Sequence, residues 1–416
     1  MRRSFPVLIA IFLCAISAIA AGLQPTGSSV KFGPSESPAI YVGSSTLAVA
    51  TIADHLTEAK QMLQSTPSPS SDSVKLAVLD PDSAQLSVFT LPKDQFLTRD
   101  AELTSTQFDR SVRIHVMRAN GVNTAVTVSD SASGKSLVPL LVQYPIVKQN
   151  KVTEVAFYTS AHPALLSPDV TSAGQAYVRT LLEQAAEELA DQGVHISWDI
   201  VDIAEHLCIV EHTDHKRFLN EKPADLFPEV LSLYALNQGD TFRYSVSTAG
   251  AGGMIQMIPR TYEGIRENHS NISLTPDFVA GMRDHENALK AMLLYMNDTW
   301  KVLASSTEVQ DAVRTGIATK PELLAAGYNS NPLRLPGYLK NGGSAWRTLI
   351  PAETQMYLSI YGSVDNTISF PGDASQDNNL FSTASLSFIN GGTNSVALVS
   401  WIGARILNGL AISLLR

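Results

Sequence analysis

Apolar residues change their spacing twice along the chain, and the changes mark out its parts. In residues 45–63, Leu47, Val49, Ile52, Leu56, Ala59 and Leu63 recur near the helical period and predict a short helix. It ends before a Ser/Pro run at residues 65–71 that reads as a loop. From Ser73 the spacing shortens to that of strands. Residues 74–79 and 86–91 flank the turn signal Asp80-Pro81-Asp82 and predict a hairpin; residues 112–116 and 124–128 flank Asn120-Gly121 and predict another. Residues 137–144 and 152–158 add two more extended runs, so residues 73–160 are expected to form a β-rich N-terminal domain.

The helical period returns at Ser172. Tyr177, Val178, Leu181, Leu182, Ala185, Ala186, Leu189 and Ala190 make one stripe, and Gly193 is placed to stop the helix. Further helices are predicted at residues 198–210 and 226–236, within residues 278–303, and from Pro321. The expected fold class is therefore α+β, the β-rich domain being followed by a mainly α domain over residues 172–361. A tail, residues 362–416, ends in an apolar helix at residues 396–415 that Arg405 and Asn408 interrupt. A charge near mid-bilayer is costly, so this helix is expected to pack or lie on a surface rather than span, with peripheral membrane contact open to it.

Met1-Arg2-Arg3, an apolar run over residues 5–16 and the small-residue sequence Ala18-Ile19-Ala20 predict a cleavable export signal over residues 1–20. The mature chain is then expected in the periplasm or outside the cell. Residues 21–72 would hold a flexible leader rich in Pro, Gly and Ser and the short helix. Cleavage leaves Cys208 without a partner for an intramolecular disulfide, and Leu207, Ile209 and Val210 predict that it is buried and inert. The net charge of -9 argues against nucleic acid, because a phosphate-binding surface needs a basic excess. Neutral or zwitterionic polymers stay permitted.

The chemistry concentrates in Tyr244-Ser245-Val246-Ser247-Thr248-Ala249-Gly250-Ala251-Gly252-Gly253-Met254-Ile255-Gln256-Met257-Ile258-Pro259. Glycines at 250, 252 and 253 allow close backbone approach, and the turn is expected to enter a short apolar helix that ends near Pro259. Gln256 sits among apolar residues, where a buried amide can orient a polar ligand. Taken alone, the segment reads first as packing. Two later segments follow it in order, Ala325-Ala326-Gly327-Tyr328-Asn329 and Glu353-Thr354-Gln355-Met356-Tyr357. Together the three resemble the Ser-x-x-Gly-Ala-x-Gly-Leu-Met-Gln-x-Met-Pro, Ala-x-x-Tyr-Asn and Glu-Thr-x-x-Tyr motifs of the soluble lytic transglycosylase family. Three ordered motifs are far more specific than a lone glycine signature.

The resemblance implies a lysozyme-like α domain acting on peptidoglycan glycan strands without a cofactor or metal. Such enzymes cut the bond between N-acetylmuramic acid and N-acetylglucosamine without water, and the muramyl 6-hydroxyl closes to a 1,6-anhydro product. One glutamic acid serves as acid and then as base, so partial burial that raises its pKa toward neutrality would help, and no second catalytic carboxylate is required. Ser247, Gly250, Met254, Gln256, Tyr328 and Asn329 are the implied substrate-binding positions, with Met254 and the glycine turn as cleft floor and the Tyr328 hydroxyl near the N-acetyl group or the carboxylate.

This chain departs from the family pattern at the acid itself. Counting back from Ser247 at the usual spacing reaches Gln238, and no glutamate lies between Glu229 and Glu263. Glu211, at the end of an apolar helix beside Leu207, Ile209 and Val210, is the expected acid, separated from the glycine turn by an inserted helix at residues 225–236. Glu205 and Glu229 are weaker candidates, expected on polar faces. Two other readings are compatible with the same residues. One is a non-catalytic peptidoglycan-binding or scaffolding protein that kept the fold and lost the acid, as Gln238 would suggest. The other is a zinc-dependent envelope hydrolase built on His206, Glu211, Asp214 and a helix face shared by His212 and His215, although no His-Glu-x-x-His pattern is present. Asp284-His285 is expected on a polar helix face, and Trp346 and Tyr338 are expected to pack rather than to stack on sugar rings.

Overall fold

The computed structural model describes residues 49–239, 246–247 and 250–370. The export signal, the leader up to residue 48, and the tail from residue 371 with its apolar helix lie outside the described residues, as do Tyr244, Ser245, Thr248 and Ala249 of the glycine segment.

Helix α1 (Val49–Ser65) precedes strands β1 (Ser73–Asp80) and β2 (Gln85–Pro92), and the single turn α2 (Lys93–Phe96) leads to β3 (Glu102–Gln107) and β4 (Arg110–Arg118). Strands β5 (Ala125–Asp130), β6 (Ser136–Lys148) and β7 (Lys151–Tyr158) complete a seven-stranded antiparallel sheet of order β2-β1-β6-β5-β4-β3, with β7 also on β6. The sheet curls until it is nearly closed, and the Ser105 hydroxyl of β3 donates to Thr90 O of β2 at 3.1 Å. Strands β1 and β6 are buried on both faces, which is why they read as almost continuous apolar runs. Val74, Leu76 and Val78 point inward with Phe89 and Ile114, while Ala77, Leu79 and Leu140 point outward beneath Ile52, Ala59 and Leu63 of α1. Strand β3 had no sequence signal because Leu103 is its one buried residue.

The second half of the chain is helical, and the class is α+β as expected. It comprises α3 (Pro168–Asp191), α4 (Trp198–Val210), α5 (His215–Asn220), α6 (Pro223–Leu236), α7 (Pro259–Asn268), α8 (Phe278–Arg283), α9 (His285–Ala304), α10 (Thr307–Arg314), α11 (Lys320–Asn329), α12 (Leu335–Gly342) and α13 (Ala352–Thr367). Helix α3 starts under a Ser167 cap whose Oγ accepts from Val170 N, and Gly193 follows its end at φ +86°. It packs along α6, α9 and α4, and the inside of the sheet and these helices share one continuous core.

Two local expectations are corrected, and a third is located. Residues 253–256 form turns rather than a helix ending at Pro259; α7 begins there, since proline suits a first helical position and positive φ at Gly253 (+76°) and Gln256 (+46°) excludes a helix before it. The long helix expected within residues 278–303 is α9, and it starts after Asp284, which is extended and caps it by accepting from Asn287 N at 3.2 Å. His285 is 1% exposed rather than on a polar face, because its Nδ1 meets the Tyr177 hydroxyl at 2.8 Å. Trp346 is fully buried, its indole N–H donating to Ile317 O at 3.2 Å, and so packs as expected. Among the described residues no helix is long and apolar enough to cross a membrane.

Candidate active site

Helix α4 is apolar on nearly every face and buried, and the chain leaves it at Glu211, whose backbone N–H still closes a helical bond to Leu207 O at 2.9 Å. The glutamate therefore emerges from the core at a rigid point and remains half-buried. From α13, the Tyr357 hydroxyl donates to Glu211 Oε1 at 2.6 Å. Burial pushes the Glu211 carboxyl up to about 8; the Tyr357 hydrogen bond opposes that by favouring the ionised form, and the nearby Glu353 charge adds to it.

Residues of the three sequence motifs are tied to one another around this carboxyl. Asn329 Oδ1, at the end of α11, accepts from Thr354 Oγ1 of α13 at 2.9 Å, and the Tyr328 hydroxyl donates to Ile255 O at 2.8 Å. Beside Glu211, the His212 ring donates to Met254 O at 3.1 Å, while the Tyr234 hydroxyl donates to Cys208 O at 2.8 Å. The glycine segment is thereby docked against the end of α4. Its own fold is a compact pair of bridges, Val246 with Gly252 and Gly252 with Met257, and Ser247 Oγ accepts from Ala251 N at 3.1 Å. The Gln256 side chain donates back to Gly253 O at 2.9 Å.

The structure thus gathers Glu211, Tyr328, Asn329 and the Met254 carbonyl. The Met254 side chain is wholly buried, so this residue reaches the site through its backbone. Ser247, Gly250 and Gln256 sit in the same turn and are partly or fully exposed. The Tyr328 hydroxyl, expected near the N-acetyl group or the carboxylate, is taken up by Ile255 O, and the hydroxyl on the carboxylate is that of Tyr357. Tyr357 and Thr354 were present in the third motif, where the i, i+3 spacing sets both on one helix face; neither was singled out as a site residue.

Two other carboxylates were candidates. Glu205 is 2% exposed rather than on a polar face, with Oε2 3.2 Å from Arg179 and burial pushing it up to about 7. Glu229 is forked by Arg217 at 2.7 and 2.9 Å and lies 3.4 Å from Arg118, which ties up its proton-accepting oxygens. Of the two carboxyls that burial raises, Glu205 is sealed in the core and Glu211 is the accessible one. The helix face imagined for His212 and His215 does not form, since Asp214 caps α5 between them, and burial holds His212 down at about 4. Among the described residues no three His, Cys, Asp or Glu side chains gather as a metal would need. The chain matches no family model, no curated protein and no solved structure.

Gly253 is the most constrained position of the turn. It sits at φ +76°, and a Cβ there would stand 2.6 Å from Met282 O. Gly253→Ala is expected to destabilise the fold by about 2–3 kcal/mol, the sum of a left-handed backbone penalty and a forced shift of the α8 backbone. Thermal unfolding measures this; an unchanged midpoint would contradict it.

Proposed function

We propose that the protein is an exported lytic transglycosylase of lysozyme-like fold that acts on peptidoglycan glycan strands in the cell envelope, with Glu211 as its acid and base. The observation that carries this reading is the half-buried Glu211 carboxyl, raised to about 8 and held at 2.6 Å by Tyr357. Such a group is mostly neutral at pH 7 and can still ionise within a turnover.

In the proposed cycle Glu211 gives its proton to the glycosidic oxygen as the bond from the muramyl C1 breaks, and the N-acetylglucosamine side leaves as an alcohol. The Glu211 carboxylate then takes the proton of the muramyl 6-hydroxyl as that oxygen bonds to C1. The 1,6-anhydro ring closes, the acid is restored, and water takes no part. Tyr357 holds the ionised carboxylate between the two halves. Tyr328 and Asn329 stiffen the wall beside the acid through Ile255 and Thr354, while Ser247, Gly250 and Gln256 of the glycine turn are assigned to holding the sugar.

Digestion of purified peptidoglycan by the mature protein, followed by mass analysis, tests the reading. Products ending in 1,6-anhydromuramic acid are expected; hydrolysed reducing ends would overturn the mechanism, and binding without cleavage would favour a non-catalytic glycan-binding role. Tyr357→Phe removes the hydrogen bond that favours ionised Glu211, so the alkaline limb of the pH–rate profile is expected to move to higher pH as the rate falls about tenfold. An unmoved limb would show that Tyr357 does not act through the carboxyl.

A further inference from the structure

The end of α4 carries two neighbouring side chains with different tasks. Its last turn tightens, His212 N donating to Ile209 O at 3.2 Å and Thr213 N to Val210 O at 3.1 Å. Glu211 and His212 are therefore consecutive residues of one rigid end. The Glu211 carboxyl meets Tyr357 of α13, while the His212 ring meets the Met254 carbonyl and stands edge-on to Tyr234 of α6, ring centres 5.9 Å apart.

A carbonyl can only accept, so His212 Nε2 carries the hydrogen of the 3.1 Å contact with Met254 O. Burial holds the ring down at about 4, so at neutral pH it is uncharged and has a single N–H to give. The Tyr234 hydroxyl gives its one proton to Cys208 O at 2.8 Å and lies 3.4 Å from Met254 O. Among the described residues the His212 ring is thus the nearest donor to that carbonyl. Met254 is wholly buried, and without the ring its carbonyl would have to move to find another donor.

Beyond that carbonyl the chain has little freedom. Ile255 O accepts from Tyr328 at 2.8 Å, and Gln256 follows at φ +46° with its side chain donating to Gly253 O at 2.9 Å. Gly253 itself lies against the α8 backbone at Met282. Two successive carbonyls are therefore pinned, 254 from the end of α4 and 255 from α11, and the residue assigned to the sugar comes directly after them. The pin on 254 is the one that shares its backbone with the acid.

We infer that His212 is a positioning residue: through Met254 O it sets the register of the sugar-holding turn on the Glu211 carboxyl, an assignment that rests on the transglycosylase reading. The ring acts through the turn and not on the reacting atoms. Its loss leaves Ser247, Gly250 and Gln256 able to hold the sugar, but on a turn displaced from the acid. The expected signature is slower chemistry with binding kept.

Release of anhydromuramyl products from solubilised peptidoglycan strands is measured for wild type, His212→Leu and His212→Gln, each well below its thermal midpoint. Leucine has no donor, whereas the glutamine amide can place an N–H near the position of Nε2. His212→Leu is expected to lower kcat by about tenfold to a hundredfold, the scale of a misplacement of about 1 Å, with KM nearly unchanged and the alkaline limb of the pH profile unmoved. His212→Gln is expected to recover most of that loss. A merely structural residue would lower the midpoint and leave kcat of the folded protein as it is. Nitrogen-edited NMR of the full wild-type chain, with the ring assigned by its loss in His212→Gln, needs no folded leucine variant: the proton is expected on Nε2. A proton on Nδ1, wild-type kcat in His212→Leu, or a loss in His212→Gln as large as in His212→Leu would each overturn the role and leave the transglycosylase reading standing. A wild-type protein that releases no anhydro products would remove that reading itself.

Discussion

Glu211→Gln is expected to lower formation of 1,6-anhydromuramyl products by about 10²–10⁴-fold, the usual contribution of a positioned acid and base. Glutamine keeps the shape of the side chain and a carbonyl oxygen for the Tyr357 hydroxyl, now 2.6 Å from Oε1, but it can neither give a proton nor recover one. Initial rates across pH provide the second half of the test. Because the carboxyl must start protonated, the wild-type rate is expected to fall as pH rises through about 8. Stability gives an independent readout of the same group. The folded-state pKa lies above the ordinary 4.5, so the folded chain keeps a proton that the unfolded chain has lost. Its contribution is fully favourable below pH 4.5 and declines until pH 8, a difference on the order of a few kcal/mol. Glu211→Gln is therefore expected to unfold at a higher temperature than wild type at pH 9 and at nearly the same temperature at pH 4. Glu205→Gln and Glu229→Gln should leave the products in place. If Glu211→Gln remained active, or if its stability relative to wild type did not change with pH, Glu211 would not be the buried acid.

What could be read from the chain alone divides according to whether a residue's surroundings are local. Strands β1 and β6 were legible because burial on both faces makes them apolar throughout, and α4 because its apolar run is bounded by Ser197 and Glu211. The position of Glu211 at the end of an apolar helix already implied desolvation. Glu205 and His285 were misjudged for the opposite reason. A carboxylate and an imidazole look like polar-face residues until Arg179 and Tyr177, both on α3, are seen to meet them from another helix. Pro259 was an ambiguous signal, since proline both stops a helix and starts one; the positive φ at Gln256 decided between them. Tyr357 lies 146 positions along the chain from Glu211, and the chain between them must fold before its hydroxyl can meet the carboxyl.

Gly174→Ala is expected to destabilise the protein by about 3 kcal/mol even though alanine is the better helix former by roughly 1 kcal/mol. Gly174 lies inside α3, where that helix crosses α6, and a Cβ there would stand 1.8 Å from Leu231 O and 2.6 Å from the Leu231 carbonyl carbon. Both are backbone atoms, so no rotamer change relieves the clash; the helices must separate. Separation cannot stay local. Helix α6 carries Tyr234, whose hydroxyl bonds Cys208 O in α4 and reaches Met254 O in the glycine segment at 3.4 Å, and it ends at Asn237, which accepts from Thr159 N at 2.8 Å at the exit of the sheet. Shifting α6 would disturb the seat of Glu211 and the junction with the β-rich half together. A lowered thermal midpoint accompanied by a loss of cleavage activity below that midpoint is the expected pair of results. A variant as stable as wild type would mean that α3 and α6 do not approach backbone to backbone, and full activity in a destabilised variant would mean that the α6 contacts are not what holds the acid in position.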